Sequence, residues 1–342
     1  MTPGNLPTRQ GANPRRIQFR RIRGCDPLQS RKWRGFLYLG EASVAVAVDR
    51  VTVRVPATVA NLGAGFDVLA AAVGVHAEIT LSTAAAPEIT VRGVDVPQDA
   101  TNLIYRSATA VAAAQGYRGA FALDAQSPIP LRSGLGSSAA AIVGGIVAAS
   151  RLLGGSLEPD ILLGIAADLE GHPDNVAAAL FGGVVAVARD ASRIHWARLL
   201  PALSLAVVLA IPALEIETAS AREVLPKTVN RADAVYNLGH TALLLTALLQ
   251  GRADLLRDAL RDRLHQPYRA HLVPGFDHVV AAARGAGAYG AVLSGSGPTV
   301  AALSEPQAAR AVADGMRAAF EAAGIDSRVV ITEIDGRGAL EL

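Results

Sequence analysis

Residues 134–138, "GLGSS", form the cluster whose residue types and spacing are best suited to chemistry. The cluster stands directly before a run rich in alanine and β-branched residues, which predicts a helix from about 136 to 153. A helix start exposes unpaired backbone N–H groups and carries a partial positive charge of roughly half a unit. Glycines let the backbone come close to a ligand, and the serines add hydroxyls. The cluster therefore predicts an anion site, most naturally for phosphate, with simple capping of a buried helix as the alternative.

Lysine is almost absent from the chain, which has only Lys32 and Lys227. The Walker pattern requires a lysine after its glycine loop, and the dinucleotide-binding Gly-x-Gly-x-x-Gly pattern is missing here as well. Any bound phosphates would have to be neutralised by backbone amides, arginines and a metal ion.

The elements that must position this cluster alternate between strands and helices. In the first half, the patterns predict strands at 51–58 and 74–82, helices at 102–116 and about 158–170, and loops at 61–67 and 171–175. In the second half, they predict a strand at 204–211, helical segments between 231 and 284, strands at 289–294 and 299–303, a helix at 306–323 and a strand at 327–335. The second series is β-α-β-β-α-β, the ferredoxin-like order with an enlarged first helical layer, and the predicted class is α+β.

Composition excludes several classes of protein. A chain of 342 residues with 51% apolar side chains is long enough for two domains and a substantial core. The best membrane candidate, 203–214, is too short and contains Pro212, so no membrane partner is expected. The single cysteine, Cys25, excludes an internal disulfide framework and a cysteine-based zinc site, and it favours a cytoplasmic location.

The N-terminal segment 1–46 differs from the rest of the chain. It holds nine basic residues against Asp26 and Glu41, a net charge of +7, so with +2 for the whole chain the remainder carries −5. It has no helical or strand period and no uninterrupted apolar run of the kind found in secretory signals. A disordered extension, a translation start placed too far upstream and an arm that contacts nucleic acid are the competing interpretations. The mildly acidic remainder argues against a body that binds nucleic acid.

Three glycine-bearing loops follow one another at wide spacing: "VPATVANLGAGFDVL" (55–69), "PLRSGLGSSAAA" (130–141) and "LSGSGPT" (293–299). They resemble the three motifs of the GHMP kinases, a superfamily of small-molecule kinases. The segments similar to the homoserine kinases within it are "EGHPDNVAAALFGG" (170–183), "ETASAREVLP" (217–226) and "DRLHQPYRAHLVPG" (262–275). The resemblance covers nearly everything from 51 to 335.

This resemblance implies a two-domain GHMP kinase fold. A ribosomal-protein-S5-like α/β domain that binds ATP is expected at 47–200, and a ferredoxin-like domain at 201–342. It also implies an ATP- and Mg²⁺-dependent kinase that phosphorylates the side-chain hydroxyl of L-homoserine to O-phospho-L-homoserine, in threonine biosynthesis. A homodimer is plausible by analogy with the family.

The resemblance implies that the loop 130–138 wraps the phosphates of ATP. Its residues are Pro130, Leu131, Arg132, Ser133, Gly134, Leu135, Gly136, Ser137 and Ser138. Ser138 is expected to be one magnesium ligand, and an acidic residue on the helix before 171–175 the other. Asp168 and Glu170 are the candidates, with Asp168 preferred although the family usually has Glu there.

Homoserine carries an ammonium and a carboxylate, and the resembling motifs offer a partner for each. Asp67 and Asn61 would accept hydrogen bonds from the ammonium group. Arg222 and Arg269 would bind the carboxylate through their planar guanidinium donors. Thr218 lies one helical turn before Arg222, on the same face of the expected helix.

The glycines of the third loop, Gly295 and Gly297, should let the backbone pass close to the substrate and its phosphate. The sequence departs from the family at Ala64, where Pro is usual, and at Ser296, where Ala is usual.

Three residues of the loop 171–175 are expected near the reacting groups. His172 and Asn175 would lie beside the attacking hydroxyl, and Asp174 falls where some relatives carry a catalytic base. Phosphoryl transfer has a loose transition state, so positioning and charge stabilisation can suffice. His240, His265 and His271 are interpreted as structural or surface residues.

Other functions remain open at this stage. A mevalonate- or shikimate-type GHMP kinase would lack the amino-acid clamp, and a catalytically silent nucleotide or metabolite sensor would bind ATP without turnover. A nucleic-acid-binding protein rests only on the basic segment, and its affinity would depend steeply on salt.

Overall fold

The computed structural model describes residues 46–155, 157–191 and 193–342. All but the last residue of the basic segment 1–46 lies outside the described residues. The strands are β1 (Arg50–Ala60), β2 (Leu69–Ala84), β3 (Glu88–Arg92), β4 (Ala120–Gln126), β5 (Val184–Asp190), β6 (Arg193–Leu199), β7 (Ala206–Pro212), β8 (Ala288–Leu293), β9 (Val300–Ser304), β10 (Ser327–Glu333) and β11 (Leu340–Glu341). The helices are α1 (Leu103–Ala114), α2 (Ser137–Leu152), α3 (Pro159–Glu170), α4 (Asp174–Phe181), α5 (Thr218–Glu223), α6 (Arg231–Gln250), α7 (Ala253–Ala259), α8 (Gln266–Arg269), α9 (Phe276–Gly285) and α10 (Ala309–Ala322).

The first sheet is built around the long pair β1 and β2. Its order is β11-β1-β2-β4-β3, and β5 pairs with β2 and then with β6. β1 and β2 run antiparallel, with a register shift between Pro56 and Ala57. Alternate residues of β1, namely Val51, Val53 and Val55, are buried, as the alternating sequence predicts.

Helix α2 packs onto this sheet through two glycines in its middle. A Cβ at Gly144 would lie 2.0 Å from Cδ1 of Ile79, and one at Gly145 would lie 2.4 Å from the carbonyl oxygen of Ile104. The glycines thus let α2 approach β2 and α1 more closely than any side chain allows. This contact fixes the start of α2, and with it the loop before it, relative to the sheet.

The second sheet has four antiparallel strands in the order β10-β7-β9-β8. Every residue of β7 is buried, because both faces of this sheet are covered, one by helices and the other by α6 together with the first sheet. α9 and α10 cover one face, where Val208 packs with Phe276 and Phe320. On the other face, Leu209 shares a core with Leu248 of α6.

The predicted element order of the second half is confirmed, as is the α+β class. Several elements of the first half were not predicted. Strands β3, β4, β5 and β6 lie in stretches that received no assignment, and α4 begins at Asp174 inside the predicted loop 171–175.

Candidate active site

A cavity of about 430 Å³ lies where the glycine loops of the two halves meet. The predicted residues that line it are Asn61, Asp67, Leu131, Arg132, Ser133, Gly134, Gly136, Ser137, Ser138, Glu170, His172, Asp174, Asn175, Thr218, Arg222, Arg269 and Gly295. Four predicted residues are not part of its lining: Pro130, Leu135, Asp168 and Gly297. Residues separated by more than 200 positions in sequence are thus brought into one site.

The loop before α2 is held against the third glycine loop. Gly134 has φ +80°, and a Cβ there would lie 2.2 Å from the carbonyl oxygen of Ser294. Oγ of Ser294 donates a 2.6 Å hydrogen bond to the carbonyl of Gly134, and the backbone N–H of Thr299 donates to the carbonyl of Ser133. Gly297 lies behind this contact, which explains why it does not reach the cavity. Both loops need glycine because their backbones touch.

Helix α2 presents uncapped N–H groups to the cavity. Its N-cap residue, Gly136, has φ +66° and offers no side-chain hydrogen bond to the first turn. Ser137 and Ser138, the first two helical residues, line the cavity. Free donors and the positive end of the helix dipole make this end of the cavity suited to an anion. Leu135, by contrast, turns its side chain into the core and accepts a hydrogen bond from the backbone of Thr58.

Glu170, not Asp168, faces the loop. Oγ of Ser138 donates a 2.5 Å hydrogen bond to Oε1 of Glu170, which lies in the last turn of α3. Burial raises the pKa of the Glu170 carboxyl, against the opposing effect of the bond from Ser138. Asp168 instead forms a 2.8 Å ion pair with Arg189 of β5. This geometry does not support the preference for Asp168, because two residues along a helix point in different directions.

The N-terminus of α4 carries a connected group of polar side chains. Asp174 is buried, and its Oδ1 lies 3.0 Å from Nδ1 of His172 and accepts the backbone N–H of Asn175. The hydrogen bond to Asp174 raises the pKa of His172, although burial works against this. The pair holds the imidazole in one orientation beside the cavity.

At the opposite end, the two proposed substrate-binding charges are paired with each other. Nη1 and Nη2 of Arg222 donate to the two carboxylate oxygens of Asp67 at 3.1 and 2.9 Å. Asn61 supports the pair, since its Oδ1 accepts the backbone N–H of Asp67 and its Nδ2 donates to the carbonyl of Gly295. Thr218 is the first residue of α5 and lines the cavity one turn before Arg222.

Arg269 is a buried guanidinium with backbone partners. It is 2% exposed, and it donates to the carbonyls of Ala221 and Gly295. Burial and then the neighbouring Arg222 lower the pKa of Arg269. The ring of Phe66 lies 5.2 Å from the guanidinium of Arg269 and 5.9 Å from that of Arg222. Arg269 therefore holds α5 and the third glycine loop together while it lines the cavity.

Sequence reasoning missed the apolar end of the cavity. Its side chains come from β3, the segment after it and the start of α1: Val91, Val94, Val96, Pro97 and Leu103. An apolar pocket beside an anion site suits a heterocyclic base attached to phosphates. No sequence motif predicts this apolar pocket, because short apolar stretches are common in any strand.

A second group that sequence reasoning missed holds the loop 61–67 in place. His265 is fully buried, stacks on Phe66 and contacts the carbonyl of Gly63 through Nε2 at 3.3 Å. Nδ2 of Asn237 donates both to the carbonyl of Ala64 and to Asp262. The structural interpretation of His265 agrees with this packing.

Two family matches define the class of the protein. Residues 102–183 match the family described as GHMP kinases N terminal domain, and residues 244–322 match GHMP kinases C terminal. The fold, the cavity and these matches together define a GHMP kinase.

Individual relatives narrow this class. The chain is 45% identical over 281 residues to the homoserine kinase of Moorella thermoacetica, covering 81% of this chain and 95% of that protein. It is 43% identical over 295 residues to the homoserine kinase of Desulfitobacterium hafniense, covering 84% and 99%. The crystal structure of homoserine kinase from Cytophaga hutchinsonii superposes with a TM-score of 0.80 at 32% identity, covering 88% of this chain and all of that one. The chain therefore belongs to the homoserine kinase family. The mevalonate kinase of L. major, with a TM-score of 0.67 and 16% identity, shares the fold.

Proposed function

We propose that the chain phosphorylates L-homoserine: it transfers the γ-phosphoryl group of ATP to the side-chain hydroxyl, giving ADP and O-phospho-L-homoserine. The observation that carries the proposal is one cavity with an anion-binding helix start at one end and paired opposite charges, Asp67 and Arg222, at the other. We place the reaction in threonine biosynthesis and in the cytoplasm.

The nucleotide would lie along the cavity from its apolar end to the start of α2. The base fits among the apolar side chains near Val91 and Leu103, and the phosphates fit against the N–H groups of 134–138. Arg132 lines the cavity and pairs with Glu215, so its charge lies at the rim of the phosphate site.

Ser138 and Glu170 fit a magnesium site. Mg²⁺ in kinases is commonly held by one or two protein oxygen ligands together with substrate phosphates and water. A hydroxyl and a carboxylate that already touch are such a pair. In this proposal, phosphate oxygens and water would supply the remaining ligands. The ion would neutralise charge on the transferred phosphoryl group in a chain nearly devoid of lysine.

The charge pairing explains why an amino acid suits this site. Arg222 and Asp67 satisfy each other, and a zwitterion brings one charge of each sign to replace that contact. Its carboxylate would bind Arg222 and Arg269, and its ammonium would bind Asp67 and Asn61. An acid without an ammonium group, such as mevalonate or shikimate, would leave Asp67 without a partner.

The attacking hydroxyl would then lie beside His172 and Asn175. Oδ1 of Asp174 already accepts two hydrogen bonds, so its proposed role is to orient these neighbours. A loose transition state needs little early removal of the hydroxyl proton, so orientation and charge stabilisation drive the reaction.

A homodimer is part of the proposal, and helix α6 supports it. Val235, Leu238 and Leu249 are 61%, 71% and 57% exposed, and with Leu245 they recur at positions i, i+3, i+10 and i+14. Gly239, beside them, has open space where a Cβ would be. A two-fold interface needs a surface complementary to itself, and apolar side chains next to a glycine notch provide one. Analytical ultracentrifugation should find a dimer for the parent and a monomer for Leu238→Glu, whereas a monomeric parent would refute the dimer.

A coupled ADP-release assay across homoserine, serine, threonine, mevalonate and shikimate tests the substrate. We expect turnover with homoserine at least about tenfold above every other alcohol, since a single charge-assisted hydrogen bond contributes that much. A preference for mevalonate would refute the substrate, and ATP binding without turnover would favour a sensor.

Within the described residues, no helix has the length and apolar character needed to cross a membrane.

A further inference from the structure

Thr58 makes a contact that neither the loop motifs nor the proposed chemistry explains. It lies near the end of β1 and is fully buried. Its Oγ1 donates a 2.6 Å hydrogen bond to Oδ1 of Asn175, a residue 117 positions away. Its backbone N–H donates to the carbonyl of Leu135 in the loop before α2. Thr58 therefore joins the first strand to both the proposed phosphate loop and the start of α4.

The direction of this hydrogen bond fixes the orientation of the Asn175 side chain. An asparagine amide has one oxygen acceptor and one NH₂ donor group, and the two ends are interchangeable in shape. Because the oxygen faces Thr58, the NH₂ group faces the other way. Asn175 lines the cavity, and within the described part of the chain its Nδ2 has no protein acceptor. Two N–H donors are thus available to a ligand in the cavity.

Gly136 brings the pair directly beneath the proposed phosphate site. A Cβ at Gly136 would lie 2.0 Å from Oγ1 of Thr58 and 3.2 Å from Oδ1 of Asn175. Any side chain there would therefore displace the hydroxyl. The start of α2, Thr58 and Asn175 converge at one point of the cavity wall.

A reversed amide would be harmful at this point. It would turn the Asn175 oxygen toward the negatively charged phosphoryl group and the NH₂ group toward Thr58. Oγ1 of Thr58 could accept from that NH₂ group, but its own buried hydroxyl hydrogen would then lose the acceptor it has among the described residues. Donors that are fixed in advance toward developing negative charge stabilise a transition state without reorganisation during the reaction. An unrestrained amide would sample both orientations.

We propose that Thr58 is a positioning residue for phosphoryl transfer: its hydroxyl holds the Asn175 amide so that Nδ2 points at the transferring group. This inference rests on the proposed function, because it assumes that Asn175 borders the reacting atoms. Thr58 itself is not among the residues that line the cavity. Its effect must therefore pass through Asn175.

A double-mutant cycle tests this claim. Thr58→Val keeps the shape of the side chain and removes the hydroxyl, while Thr58→Ser keeps the hydroxyl. We expect Thr58→Val to lower kcat about tenfold, with the KM values for ATP and homoserine changed less than about twofold, since the lost donor acts mainly in the transition state. Thr58→Ser should retain at least about half of kcat. Thr58→Ala replaces Thr58→Val if the latter does not fold.

The decisive comparison is made in the Asn175→Ala background. If Thr58 acts through Asn175, Thr58→Val should lower kcat there by less than about twofold, because the interaction it supports is already gone. A tenfold loss in both backgrounds would overturn the inference, as would equal losses for Thr58→Ser and Thr58→Val. An Asn175→Ala variant with the kcat of the parent would also overturn it.

The cycle is run with whichever alcohol of the five-member panel is turned over fastest. If that alcohol is not homoserine, the proposed substrate fails while the cycle still tests Thr58. A parent that turns over no alcohol refutes both the proposed function and the positioning role.

Discussion

Replacing Glu170 by glutamine removes one charge from the proposed metal site and almost nothing else. Gln has the same shape and can still accept the hydrogen bond from Oγ of Ser138, which lies 2.5 Å from Oε1 of Glu170. What is lost is the negative charge that a divalent cation and its water ligands require. A charge-assisted interaction of this kind contributes about 1.5–3 kcal/mol, which corresponds to a loss of about 10- to 100-fold in kcat/KM. The Mg²⁺ concentration for half-maximal activity should rise at the same time.

Asp168→Asn is the matched control. It removes the same charge two residues away on the same helix, where Asp168 pairs with Arg189 across a partly exposed surface. Such pairs contribute about 0–1 kcal/mol to stability, so we expect nearly unchanged kcat/KM and magnesium dependence. Initial rates with ATP and homoserine at several Mg²⁺ concentrations decide between the two carboxylates. If Asp168→Asn reproduces the loss and Glu170→Gln does not, the assignment of Glu170 is refuted.

The same substitution should leave the fold at least as stable. Burial raises the pKa of Glu170 above its ordinary value, so ionising the group costs free energy in the native state. The stability that the carboxyl contributes is therefore complete below its unfolded pKa of about 4.3 and is lost as pH rises through the raised pKa. Glutamine has no such loss. Urea unfolding at pH 7 should show Glu170→Gln equal to or more stable than the parent, with the difference vanishing toward pH 4. A clear destabilisation at pH 7 would show that Glu170 is a structural residue.

Two further predictions concern charged groups elsewhere. Arg222→Lys keeps the charge but loses the planar fork, so kcat/KM for homoserine should fall about 10- to 100-fold while ATP affinity hardly changes. Homoserinol has no carboxylate, so its kcat/KM should fall little further in this variant. A variant with weakened ATP binding would refute the role of Arg222 in binding the substrate carboxylate. Asp335 is 8% exposed, and although burial opposes it, hydrogen bonds from His76 and from the backbone of Gly338 and Arg337 lower its pKa. Its stabilising effect is therefore present above about pH 4 and lost as pH falls through the depressed pKa. Asp335→Asn should lower the free energy of unfolding at pH 7 by about 1–3 kcal/mol. This difference should shrink when unfolding is measured at acid pH. A difference that persisted below the depressed pKa would show that the charge of Asp335 is not what stabilises the fold.

The second half of the fold was predictable from sequence because its elements carry clear periods. The run at 204–211 is continuously apolar, as a strand covered on both faces must be, and β7 spans Ala206–Pro212. The 306–323 pattern places one apolar face on the sheet, and α10 spans Ala309–Ala322. Strands β3, β4, β5 and β6 were missed because each is only five to seven residues long, and β6, at the edge of the sheet, has no fully buried residue.

Only those parts of the candidate site that lie within local sequence motifs could be predicted. The glycine loop at 134–138 can be recognised from the sequence, since backbone contact and left-handed φ values require glycine where the loops touch. The choice between Asp168 and Glu170 depends on the helical rotation that separates two positions, which a single sequence does not fix. The contact between Thr58 and Asn175 depends on tertiary packing across 117 positions, and no spacing rule reports it.

Product analysis by phosphorus NMR tests the central claim most directly. The purified full chain is incubated with ATP, Mg²⁺ and L-homoserine, and the phosphorylated product is followed alongside ADP. The account predicts one phosphate monoester, coupled to the protons of the side-chain CH₂ that carries the oxygen, formed in equal amount with ADP and formed far more slowly when homoserinol replaces homoserine. ADP accompanied only by inorganic phosphate, or bound ATP that persists unchanged beside homoserine, would contradict it.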